Sequence, residues 1–77
     1  MADPAFASEW ARTEAARNAG DLLIAARARY GLKQSELAFR AGVTLAYVKH
    51  IEAGDYAPPA ERVAWLVASA RRGEGNV

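Results

Sequence analysis

The apolar residues of this 77-residue chain recur at spacings of three and four, and no run of β-branched residues alternates with polar ones. That period belongs to helices, and the fold class it implies is all-α. Breaks at Asn18 to Asp21, Gly31 to Lys33, Gly42 to Thr44 and Gly54 to Pro59 divide the chain into five helical pieces. The first runs from about Pro4, acceptable in a first helical turn, to about Ala19, with Phe6 and Trp10 four apart on one side. The second follows Asp21, a good N-cap, and sets Leu22, Leu23, Ala26 and Tyr30 near one face before Gly31 stops it. The third is barely two turns long, from near Gln34 to Gly42, with Glu36 suited to the positive helix end. Thr44, whose hydroxyl can cap free amides, opens the fourth, which carries Val48 and Ile51 inward until Gly54. The fifth follows Pro58 and Pro59 and shows Val63, Leu66, Val67 and Ala70 on one face. Residues 73–77 are expected to form a disordered tail.

Length and composition narrow the chemistry. A chain this short makes one domain at most and buries only about 60% of its unfolded surface, which excludes a two-domain enzyme. There is no cysteine, and the single histidine, His50, leaves zinc without enough ligands, so neither a metal nor a cofactor is expected. Ten Lys plus Arg against nine Asp plus Glu give a net charge of +1, too balanced to advertise nucleic acid by itself. From Asp21 to Arg72, however, eight basic residues oppose five acidic ones, so the central part is more positive than the whole. No apolar stretch approaches the roughly 18 residues of a spanning helix, and the first residues, with Asp3 and Glu9, lack a basic signal-peptide start. The expectation is a soluble cytoplasmic protein without a membrane partner.

The informative stretch is GLKQSELAFRAGVTLAYVKHIEAG, Gly31 to Gly54. Two short helices joined by so brief a turn must cross steeply. Ala38 then lies where the axes come closest, Gly42 takes a backbone angle closed to bulkier residues, and Val43 plugs the corner. Leu37, Val48 and Ile51 seal the interior, leaving Leu45, Ala46, Lys49 and His50 on the outer side of the fourth piece.

From about Asp21 to Ala70 the chain resembles the Cro and phage-repressor family of helix-turn-helix DNA-binding regulators, also called the XRE family. The resemblance rests on Leu32 and Gln34, then Ser35-Glu36-Leu37-Ala38, then Ala41-Gly42-Val43-Thr44, then Val48 and Ile51-Glu52-Ala53-Gly54. It implies a five-helix bundle of the phage-repressor type with an additional N-terminal helix: residues 1–20 as the extra helix, 21–72 as the DNA-binding domain, 73–77 as the tail. The recognition helix would span Thr44 to Ala53 and lie in the major groove, with two copies on a two-fold related operator.

The resemblance also implies site residues. Gln34 matches a glutamine that bonds a DNA phosphate, against the alternative of an ordinary exposed helix-start residue. Arg27 and Glu52 match a structural salt bridge between the first core helix and the end of the recognition helix. Leu45, Ala46, Lys49 and His50 stand at the base-reading positions. The first two depart from the hydrogen-bonding residues common there and can only touch a thymine methyl, whereas Lys49 and His50 can reach base edges or phosphate. A solvated face, or a packing or protein contact for Leu45, is the alternative. Tyr47 can reach the DNA backbone or pack beneath the turn. After Gly54, where relatives carry cations, this chain has Asp55 and Tyr56; Lys33, Arg40 and Arg29 are the compensating candidates. Few residues remain for the further dimerisation helix of many relatives, so Phe6, Trp10 and Trp65 are candidates for a dimer or partner surface, unless the first helix folds back and hides them.

The function this implies is a bacterial or phage transcriptional regulator that binds double-stranded operator DNA as a homodimer. A protein-binding module, such as an antitoxin or anti-activator whose front helix docks on a partner, is the alternative. No enzyme is expected: Ser8, Ser35 and Ser69 have no evident catalytic partner, and His50 lies on the proposed DNA-facing helix.

Overall fold

The computed structural model describes residues 4–72, with side chains from Arg12 onward. Within them run four α-helices: α1 (Pro4–Tyr30), α2 (Gln34–Ala41), α3 (Leu45–Glu52) and α4 (Ala60–Arg72). The tail expected at residues 73–77 lies outside the described residues.

The architecture is a four-helix bundle, not the five-helix one that the local pattern implies. The break expected at Asn18 to Asp21 does not occur, and the first two pieces are a single helix of 27 residues. Helix propensity argues for a break there, since Gly and Asp are poor interior residues and Asp21 is a natural cap. Packing decides otherwise. Ala16, Ala19, Leu23 and Ala26, at helical spacing across the supposed break, are all buried against the bundle. Gly20 is buried between them because the end of α3 crosses here: a Cβ at this position would lie 2.6 Å from the Ile51 carbonyl oxygen and 3.1 Å from that of Glu52. Glycine in mid-helix is thus a place of close backbone approach rather than a helix end.

The remaining boundaries follow local chemistry. The Glu36 carboxylate accepts from the Lys33 backbone N–H at 2.9 Å, satisfying an amide at the start of α2. Gly42 ends that helix at φ 70°, in the left-handed region that disfavours a Cβ, and the Val43 N–H closes back to the Ala38 carbonyl at 3.0 Å. Thr44 caps α3, its Oγ1 accepting from the Tyr47 N–H at 3.1 Å. The Pro59 carbonyl accepts from the N–H groups of Arg62 and Val63 and starts α4.

Each helix gives the core at least one fully buried side chain: Leu23 from α1, Leu37 from α2, Val48 and Ile51 from α3, and Leu66 from α4. Such residues contribute about 1.5–3 kcal/mol each when removed from water. Ala38 and Ala41 let α2 approach its neighbours, and Val43 packs half-buried at the corner between α2 and α3. Ser69, also fully buried, donates to the Trp65 carbonyl at 2.9 Å, so its hydroxyl is satisfied inside α4. No helix of the described residues is long and apolar enough to cross a membrane.

Candidate nucleic-acid interface

The period of α3 separates its two sides. Val48 and Ile51 enter the core, while Leu45, Ala46, Lys49 and His50 are exposed. Leu45 is 39% exposed, an apolar side chain left on the surface at the first position of the helix. The outer face therefore offers two short apolar groups, one ammonium and one imidazole. That set can contact thymine methyls, accepting base edges and phosphate, but it contains no bidentate guanidinium or amide. His50 Nδ1 lies 3.8 Å from Asp55 Oδ2, and both side chains are largely exposed, so a carboxylate shares the C-terminal end of this face.

A polar clamp fixes the far end of α3. Arg27 Nε and Nη2 donate to the two carboxylate oxygens of Glu52, each at 2.6 Å, and Nη1 donates to the Leu32 carbonyl at 2.9 Å. The Glu52 side chain is only 5% exposed and Arg27 21%. The bond to Glu52 lifts the Arg27 pKa above its usual value, outweighing the opposing effect of burial, so the guanidinium stays charged. Gln34 joins the clamp, its Nε2 donating to Glu52 Oε1 at 3.1 Å. The side chain that the sequence suggests for a phosphate is thus tied to the end of α3, with one amide hydrogen still to give. Lys33 stands exposed before α2. Arg40, another candidate cation, instead donates Nη1 to the Ala70 carbonyl at 2.7 Å and closes the end of α4. Arg29 lies over the Tyr30 ring at 5.7 Å.

At the other end of α3 is a hollow of ≈ 560 Å³ lined by Val43, Thr44, Tyr47, Tyr56, Pro59 and Arg62. The Tyr47 and Tyr56 rings meet with centroids 5.9 Å apart and a 57° tilt. Burial and then the neighbouring Tyr56 hold the Tyr47 phenol above its usual pKa, while the positive charge of Arg62 pulls the other way. Tyr47 thus packs half-buried in the corner, against Tyr56, and lines this hollow. Arg62 also lies over the Trp65 ring at 5.8 Å, and Arg72 over it at 5.4 Å. Trp65, 36% exposed, thus meets two cations. Sequence reasoning did not single out Arg62; its spacing of three from Trp65 was the available sign, whereas nothing local joins Tyr47 to Tyr56.

Two apolar surfaces lie elsewhere. Phe39, on the outer side of α2, is 88% exposed. A groove of ≈ 920 Å³ between α1 and α4 is lined mainly by small and apolar residues, among them Leu22, Ala25, Val63 and Val67, together with Arg29 and Arg71. The side chains of Phe6 and Trp10 lie outside the described residues, and the helix that carries them does not fold back as a separate piece.

Among the described residues no group of three His, Cys, Asp or Glu side chains could hold a metal ion. No curated protein and no solved structure matches the chain. A family model described as helix-turn-helix matches residues 23–70, from the packed half of α1 to the end of the α4 core stripe. A unit of this kind is a DNA-binding module rather than a catalytic one. Since the match spans more than half of its length and covers the whole α2–turn–α3 unit, this chain belongs to the helix-turn-helix family of DNA-binding domains.

Proposed function

We propose that this protein is a sequence-specific transcriptional regulator of the Cro and phage-repressor type, which acts in the cytoplasm and binds an inverted-repeat operator as a homodimer. The observation that carries the reading is the outer face of α3: Leu45, Ala46, Lys49 and His50 stand exposed on a short helix pinned at one end by Arg27 and Glu52 and capped at the other by Thr44. A rigid, protruding helix presents side chains to base edges without losing much freedom on binding. In this reading Lys49 and His50 read bases or neighbour phosphates, Leu45 and Ala46 pack on thymine methyls, and Lys33, Gln34, Thr44 and Tyr47 position the protein on the backbone. An eight-residue helix is about 12 Å long and spans only a half-site, so useful affinity calls for a second copy.

Selection from a random duplex pool tests this directly. A symmetric site with half-sites about one helical turn apart is the expected product. Replacing Lys49 and His50 by alanine, both exposed, should abolish preference for that site while the thermal unfolding transition is retained. Recovery of no enriched sequence, or unchanged affinity in the double variant, would remove these residues from the role.

A second reading, a protein-binding module such as an antitoxin or anti-activator, draws support from the apolar groove along α1 and from Phe39. Its mark is a change in association for Leu22 or Trp65 variants with DNA binding untouched.

A further inference from the structure

The loop between α3 and α4 carries Asp55 and Tyr56 and no Lys or Arg, which leaves that shoulder of the recognition helix without the cation a phosphate needs. A cation arrives from elsewhere in the fold. Arg62, in the first turn of α4, lines the same hollow as Thr44 and Tyr47 from the start of α3 and Tyr56 from the loop. The geometry points to this hollow as a backbone-phosphate site, in which the Arg62 guanidinium and the hydroxyls of Tyr47, Tyr56 and Thr44 receive one non-bridging phosphate edge of the DNA, and Trp65 acts as a positioning residue that holds Arg62 over it. The assignment rests on the reading of α3 as the helix that enters the groove.

Three features converge on it. The donor set suits the ligand, since a guanidinium offers paired N–H donors and each hydroxyl one more, and no carboxylate lines the hollow. The two tyrosine rings pack on each other, with centroids 5.9 Å apart, which lowers the cost of ordering them on binding. Arg62 is exposed yet held over the indole of Trp65 at 5.8 Å, which narrows the range of positions of a side chain that otherwise has many rotamers. Arg72, also over the Trp65 ring, adds positive potential nearby. Exposure of Trp65 then has a reason other than a protein contact.

The test is a salt titration of binding, by fluorescence anisotropy, on the selected duplex and on an unrelated one. For Arg62→Ala the plot of log affinity against log salt should flatten by about 0.9, one phosphate's worth, with affinity at low salt falling about tenfold on both duplexes and the preferred sequence unchanged. Arg62→Lys should restore most of the slope, because it keeps the charge. Tyr56→Phe, which removes only a hydroxyl, should weaken both duplexes about threefold. Trp65→Ala should lower affinity for both duplexes less than Arg62→Ala does, with Trp65→Phe restoring it and the sedimentation of the free protein unchanged. Arg62→Ala with the wild-type slope overturns the site, and so does a change in sequence preference without a change in slope, since that would make Arg62 a base reader. Trp65→Ala that alters only the oligomeric state overturns its positioning role. A wild-type protein that ignores every duplex at low salt refutes instead the DNA-binding regulator on which the site depends, and is told apart by the behaviour of the wild type alone.

Discussion

Replacing Gly20 by alanine sets two effects of opposite sign against each other. In an isolated helix the change should stabilise, by about 1 kcal/mol, because alanine is the best helix former and glycine among the worst. Here the new methyl would lie 2.6 Å from the Ile51 carbonyl oxygen, 3.1 Å from that of Glu52 and 3.3 Å from the Glu52 Cα. All three are backbone atoms at the end of α3, where Ile51 O also accepts the Gly54 N–H, so no side chain can rotate away. Relief requires α1 and α3 to separate by several tenths of an ångström, beside Ile51 and Leu23, which are fully buried. Overpacking of this kind costs about 1–3 kcal/mol, and the larger values apply where the neighbour is backbone. The net expectation is a loss of about 1–2 kcal/mol, or roughly 4–16 °C in Tm for a domain of this size. Urea denaturation followed by helical circular dichroism measures it, with Ala28→Gly at an exposed α1 position as the reverse control, expected to lose about 1 kcal/mol. Both substitutions should therefore destabilise. A Gly20→Ala protein stabilised by the propensity difference would refute the close crossing of α1 and α3, and with it the account of why α1 continues through this point.

The remaining predictions concern the clamp, the tyrosine corner and the outer face of α3. Arg27→Met leaves a Glu52 carboxylate that is 5% exposed without its main partner and should cost about 3 kcal/mol in chemical denaturation, with strong coupling to Glu52→Gln in a double-mutant cycle; a loss under about 1 kcal/mol would mean the pair behaves as a solvated surface bridge. The Tyr47 phenol ionises above the usual value near 10 in the folded protein, chiefly through burial and next through Tyr56, so the unfolded chain releases that proton first. Its contribution to stability is complete below about pH 10 and is lost as pH rises through the folded value, and ultraviolet titration at the phenolate band should show a late transition that Tyr47→Phe removes. Lys49→Ala and His50→Ala should each leave the unfolding transition within about 0.5 kcal/mol of wild type, because both side chains are exposed, and larger losses would place them in the packing rather than on an open surface.

Where a boundary depends on neighbours in the chain, the sequence was enough. Gly42, Thr44 and Pro59 punctuate α2, α3 and α4 through a backbone angle, a hydroxyl cap and a missing N–H, and each acts within a few residues. The helical period likewise separates Val48 and Ile51 from the outward side of α3 without knowledge of the rest. What the sequence misjudged is the stretch from Asn18 to Asp21. Every local preference there favours a stop, and only the crossing of α3 over Gly20, with Ala19 and Leu23 buried on either side, keeps the helix running. The fates of the polar side chains were also tertiary matters. Arg40 is diverted to a carbonyl thirty residues away, Gln34 turns to Glu52, and Tyr47, Tyr56 and Arg62 meet only because the loop after α3 brings α4 back beside its start. Local propensities are small, at most about 1 kcal/mol per residue for all but proline, and burying one leucine outweighs them, so pattern alone determined which faces are apolar while packing determined what those faces, and the charges between them, are joined to.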